Sequence, residues 1–148
     1  MSEFEADKAA LLREMDEARA ELEAVVLKLE ANDMERVRRG SWPVSRILAH
    51  VRDSERIYAQ LISVFNGQPA VSVESGELST SAKVASSLGA TREGLLEAIS
   101  SVEEKDFYRL QTIGHEEYSI ISVLENEINH EREHAEQIRA IVSGKGTD

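Results

Sequence analysis

The sequence has no cysteine, and only two prolines and eight glycines among its 148 residues. Without cysteine there are neither disulfides nor thiolate ligands, so any thiol chemistry needs a thiol supplied from outside. Few prolines and glycines leave room for long uninterrupted helices. Basic residues are in short supply too: 17 Lys and Arg against 28 Asp and Glu give a formal charge of −11. The acidic residues run along the whole chain rather than forming a tail, and Arg36, Arg38 and Arg39 are the only local basic cluster. Such a chain repels a phosphate backbone, so no nucleic-acid partner is expected. No apolar run approaches the roughly 20 residues that span a bilayer, and the opening MSEFEADK lacks the basic and apolar regions of a signal peptide. A cytoplasmic protein with no membrane partner is the expectation.

What is present is helical. Hydrophobic residues make up 41% of the chain, enough for one core, and the length suits a single domain over residues 1–148. In a first segment, about 3–30, Phe4, Leu11, Met15, Ala18, Leu22, Val25 and Leu29 recur at threes and fours as one apolar stripe, broken only at Lys8. Ser2 with Glu5 fits a capping box, and Asn32 and Asp33 stop the period. A second segment, about 43–65, opens with Pro43 in its first turn. It carries Val44, Ile47, Leu48, Val51, Tyr58, Leu61, Ile62 and Phe65 on one arc and ends at Asn66 and Gly67. Glu55 falls inside that arc, either as a buried acid or as a surface residue of a slightly rotated helix.

An irregular stretch over 67–78 is long enough to cross one end of a bundle. A third segment, about 79–102, has its seam at Val84, Leu88, Thr91, Leu95, Ile99 and Val102. Gly89 and Gly94 each cost about 1 kcal/mol relative to alanine and allow a break near Gly89. A connector over 103–117 carries His115, expected to be a solvated loop residue. The fourth segment, about 118–142, has its seam at Ile121, Leu124, Ile128, Ala135, Ile138 and Val142, with Gly144 as stop and a frayed end beyond it. Four such segments with little strand signal predict an all-α four-helix bundle with a long crossover link between helices 2 and 3.

The chemistry lies in the histidines. His130 and His134 stand four apart, so their imidazoles stack on one helical face and can share an ion. His134 falls inside the apolar arc, His130 at its edge, and His50 at the edge of the second helix's arc. Left without partners, each would cost about 1–3 kcal/mol, a heavy burden on a total stability of roughly 5–15 kcal/mol. A metal ion, or the carboxylates Glu127, Asp53 and Glu133, must satisfy them. Three imidazoles with no fourth protein ligand suit a catalytic site with open positions better than a closed structural one. Zinc, nickel, copper and iron all accept imidazole, and spacing alone does not choose among them. Glu127, on the same side of the fourth segment, is the candidate catalytic carboxylate, either orienting a ligand histidine or moving a proton.

Two sharper motifs fail. His130-Glu131-Arg132-Glu133-His134 has the H-E-x-x-H spacing of zinc proteases, but only 14 residues follow His134, and no strand-rich domain precedes it. Glu127-Ile128-Asn129-His130 has the Glu-x-x-His spacing of di-iron bundles, but Ile47 stands where the second copy before His50 needs its glutamate. Trp42, at the start of segment two, is expected to pack under the bundle end.

These residues resemble the DinB-like (DinB/YfiT) superfamily. The stretch Gly40-Ser41-Trp42-Pro43-Val44-Ser45-Arg46-Ile47-Leu48-Ala49-His50 is similar to that family's Gly-x-Trp-Ser-x-x-x-x-Leu-x-His opening of helix two, and His130-x-x-x-His134-x-x-Gln137-Ile138 to its helix four. Pro43 departs from the serine often found there, which changes a cap and not a ligand. The resemblance implies a divalent metal, zinc or nickel, on His50, His130 and His134, a small-molecule substrate and a homodimer. It implies thiol S-transferase or hydrolase activity on a small electrophile, with a low-molecular-weight thiol as co-substrate. The alternative is a non-enzymatic metal- or ligand-binding stress-response bundle that dimerises.

Overall fold

The computed structural model of the chain describes residues 2–38, 40–67 and 78–144. The expected crossover link falls largely on 68–77, and the frayed end on 145–148; both lie outside the described residues. Four long helices make up the bundle: α1 (Glu3–Leu27), α2 (Val44–Phe65), α3 (Ser81–Ser100) and α5 (Ile120–Val142). A short helix, α4 (Glu104–Phe107), and an antiparallel hairpin, β1 (Gln111–Ile113) with β2 (Glu116–Tyr118), fill the connector before α5. The hairpin is absent from the sequence expectation because three-residue strands carry no readable alternation. His115 sits in its turn, exposed as expected.

The caps explain most of the boundaries. Ser2 Oγ accepts from the Glu5 amide at 3.1 Å while Glu5 accepts from the Ser2 amide at 3.3 Å, completing the predicted box. α1 stops three residues short of the expected end, at Leu27, and a single 3₁₀ turn, Ala31–Asp33, follows. Pro43 is the N-cap of α2, just outside the first turn. Thr80 Oγ1 caps α3 and Ser119 Oγ caps α5, each bonding the amide three residues on at 3.1 Å. Gly67 and Gly144 follow α2 and α5 with φ of 72° and 80°, the left-handed conformation that suits glycine at a helix end. α3 runs unbroken through Gly89. Its buried Val84, Leu88, Leu95 and Ile99 hold it against the neighbouring helices, and tertiary packing outweighs the glycine cost of about 1 kcal/mol.

The core has two halves. One gathers Leu11 and Met15 of α1, Ile62 and Phe65 of α2, Leu95 and Ile99 of α3, and Leu124 and Ile128 of α5. The other gathers Leu22 and Val25 of α1, Ile47 and Val51 of α2, Leu88 of α3, and Ala135 and Ile138 of α5. Chain direction follows from these memberships: α1 and α5 run parallel, α2 and α3 run opposite to them. Successive helices α2 and α3 that point the same way require a crossover between their ends, as predicted from the length of the link. Neighbouring helices in the ring are α1 and α5, α5 and α2, α2 and α3, α3 and α1, leaving α1–α2 and α3–α5 as the diagonals.

Between the two apolar halves lies a charged layer. Glu55 of α2 and Glu131 of α5 are both fully buried (0% exposed). Arg19 of α1 donates to Glu55 at 2.9 Å and to Glu131 at 2.5 Å; Arg92 of α3 donates to Glu55 at 2.8 Å and to Glu131 at 2.6 Å. Thr91 adds a hydroxyl donor to Glu55 at 2.6 Å. The two guanidiniums and two carboxylates thus form a closed square joining all four long helices. Burial alone would lower the pKa of Arg19, but the two carboxylates beside it raise it above its ordinary value, so it stays charged.

Candidate metal centre

One helical turn or so from the charged layer, α2 and α5 bring three imidazoles together. His130 Nε2 lies 2.9 Å from His50 Nε2 and 3.0 Å from His134 Nε2. The three rings meet edge to face, with centroids 4.4–5.3 Å apart and interplanar angles of 82–90°. The convergence follows from antiparallel packing: His50 meets His130 and His134, and five residues later on α2 Glu55 meets Glu131, which precedes His134 on α5.

The tautomers test what fits there. His134 Nδ1 is 2.7 Å from Gln137 Oε1. An amide oxygen only accepts, so that nitrogen carries the hydrogen and Nε2 of neutral His134 is a bare lone pair. His130 Nε2 then has at most one hydrogen for two close neighbours. No set of neutral tautomers makes both Nε2–Nε2 contacts hydrogen bonds, because His130 Nε2 cannot donate to His134 and accept from His50 at once. A cation that accepts all three lone pairs removes the conflict. Metal–imidazole bonds of about 2.0–2.1 Å put adjacent ligand nitrogens about 3 Å apart, the separation seen for both contacts. The residues present therefore fit a divalent ion.

The electrostatics agree. Burial, followed by the positive ends of His134 and His50, lowers the His130 pKa to about 4. Burial and His134 also lower His50, against an opposing pull from Asp53. Both rings are neutral near pH 7, the form that ligates. Asp53 itself does not serve a histidine by hydrogen bond; it pairs with Arg52 at 3.0 Å and Arg56 at 3.6 Å.

Glu127 is fully buried (0% exposed) and its carboxylate groups with those of Glu55 and Glu131. As a carboxylate it finds no donor. Burial, then Glu131 and Glu55, push its pKa well above the usual carboxylate range. The shift favours the neutral acid, and with Glu127 neutral the square of two arginines and two glutamates is electrically balanced.

Trp42 is not under the bundle end. It is 39% exposed, its ring meets that of His50 edge to face with centroids 5.4 Å apart, and Arg46 lies over it with 4.3 Å from guanidinium carbon to ring centroid. Sequence reasoning missed Arg19, Arg92 and Glu131 as core residues. Their one legible signal was Glu55 inside an apolar arc, since a carboxylate buried there requires cationic partners on facing helices.

The DinB superfamily profile matches residues 6–138. That span covers both histidine motifs and nearly all of the bundle, and the chain belongs to this superfamily. It is similar to the crystal structure of a DinB-like protein from Bacillus cereus ATCC 10987, at a TM-score of 0.70 and 16% sequence identity, over 93% of this chain and 92% of that one. At that identity the likeness concerns the fold. Among curated proteins, none matches the sequence. Among the described residues, no helix is long and apolar enough to cross a membrane.

Proposed function

We propose that this protein is a metal-dependent enzyme acting on a small electrophilic molecule, as a thiol S-transferase or a hydrolase, with a divalent ion on His50, His130 and His134. The observation that carries it is the meeting of three imidazole Nε2 atoms at 2.9 and 3.0 Å, a contact that protons alone do not satisfy. Zinc and nickel both suit an all-imidazole donor set. When bound, such an ion supplies Lewis acidity that makes a nucleophile of water or of an external thiol near neutral pH. The chain's lack of cysteine means that a thiol would come as a co-substrate, and we place the protein in the cytoplasm, where such thiols are kept reduced.

The chain's own residues orient the ligands. Gln137 fixes the His134 tautomer. His130 Nδ1 and both Glu127 oxygens are buried without a hydrogen-bond acceptor or donor, and they stand three apart on α5, the spacing of side chains that share a helical face. We assign Glu127 as the acceptor for His130 Nδ1–H, holding a proton on its other oxygen toward Glu131. In this role it orients a ligand and stores a proton at the buried side of the site. A homodimer belongs to the same reading: Leu27, the last residue of α1, is 78% exposed, and an apolar groove is lined by Val25, Lys28, Arg139 and Val142. Light scattering tests it.

Metal content of the purified protein beside His134→Ala tests the centre. Equal occupancy in the two would end the proposal. A second reading, a bundle that binds a metal or ligand without turnover in a stress response, is favoured by one observation: Glu131, next to His130 in the chain, is fully engaged by two arginines and not free as a base. Thiol conjugation of a model electrophile, measured with zinc or nickel, separates the two. Metal-dependent turnover that is lost in His50→Ala excludes the binding-only reading.

A further inference from the structure

Trp42, Arg46 and His50 follow one another at intervals of four residues, so Arg46 stands one helical turn before a ligand histidine on the same face of α2. Its guanidinium carbon lies over the Trp42 ring, 4.3 Å from the ring centroid, and the Trp42 and His50 rings meet edge to face with their centroids 5.4 Å apart. The two distances place the guanidinium within about 10 Å of the His50 ring.

Arg46 is exposed. Among the described residues it has no carboxylate within ion-pair distance, although the chain carries 28 acidic residues against 17 basic ones. Arg52 and Arg56, further along α2, both hold Asp53. The contact with the Trp42 ring is a cation–π one, and among the described residues it leaves the N–H edge of Arg46 without an anionic partner. That edge is a planar fork that matches a carboxylate. Trp42 also limits the arginine's rotamers, so less entropy is lost when an anion binds.

We propose that Arg46, lying over Trp42, is the recognition point for a carboxylate on the small molecule that reaches the histidine triad. The inference rests on the function proposed above and names the ligand class: a small organic acid whose donor atom and carboxylate are a few bonds apart. Arg46 binds and orients; it takes no part in bond making.

Trp42 is the only tryptophan, so its fluorescence reports on this rim directly. Zinc-loaded and chelator-treated protein would each be titrated with 3-mercaptopropionate and with 3-mercapto-1-propanol, which differ in the carboxylate. In the loaded protein the acid is expected to bind about fivefold more tightly, a partly exposed charge-assisted pair. That preference shrinks in 0.5 M salt, where the screening length is a few Å. Arg46→Gln is expected to abolish the preference with zinc content unchanged, and Arg46→Lys to keep part of it. Equal binding of acid and alcohol by the wild type in both forms, or an unaltered preference in Arg46→Gln, overturns the proposal. If the wild type takes up no zinc, the metal reading fails by itself. A carboxylate-dependent Trp42 response that is lost in Arg46→Gln upholds the anion subsite even then.

Discussion

Arg92 on α3 donates to Glu131 on α5 at 2.6 Å, across a diagonal of the bundle, while Arg19 and Glu55 span the other diagonal at 2.9 Å. Helices that are not neighbours in the ring are thus tied through its centre. Glu131 is next to His130 in the chain, and Glu55 is five residues past His50, so the same square sets the height of α2 against α5 at the histidines. Taking four charges out of water is costly, and a buried pair is often no more stable than apolar residues of the same volume. Its partners are nevertheless hard to remove singly.

Glu55→Ala should therefore cost about 3–5 kcal/mol, because Arg19, Arg92 and Thr91 lose their shared acceptor. Urea unfolding measures this. A loss under about 1 kcal/mol would show that water or a rearranged side chain takes over the site.

Glu127 gives stability a pH dependence of known sign. Its folded-state pKa is raised well above 4.5, first by burial and then by Glu131 and Glu55. Above about pH 4.5 the native state keeps a proton that the unfolded chain releases, so its contribution declines as pH rises through the folded pKa. Glu127→Gln keeps a donor and cannot ionise. In chelator-treated protein the melting temperature of Glu127→Gln minus that of wild type should grow between pH 5 and pH 8. A flat difference would mean that Glu127 ionises normally.

The histidines act in the opposite sense. His130, with a folded pKa lowered to about 4 by burial and its two histidine neighbours, resists the proton that the unfolded chain takes up below 6.5. Its contribution is present above pH 6.5 and is lost as pH falls toward 4. His130→Gln in chelated protein should flatten the acid side of the stability curve; an unchanged slope there counts against a neutral, crowded His130.

Metal binding should raise the melting temperature in the wild type and not in His134→Ala. At a free zinc concentration 100 times the Kd the gain is about 2.7 kcal/mol. Gln137→Ala, which frees the His134 tautomer, should weaken affinity by about 10- to 100-fold without abolishing it. Competition with a chromogenic chelator gives both values, and wild-type affinity in Gln137→Ala would remove the hydrogen bond from the account.

Periodicity alone determined the four long helices, their order, and the three histidines as a set, because an apolar stripe and an i,i+4 pair are properties of one helix and are written locally. The capping box at Ser2 and the stop at Gly67 are local in the same way. What tertiary structure decided is everything that depends on facing helices. Arg19 and Arg92 look like ordinary solvated charges in their own segments, and only the approach of α2 and α5 makes them core residues. The same approach turns His50 and His130 into neighbours although they are 80 residues apart in the chain, moves Trp42 from packing element to rim of the site, and raises the pKa of Glu127. Burial and charge balance are sums over several chain segments, and no single segment contains them.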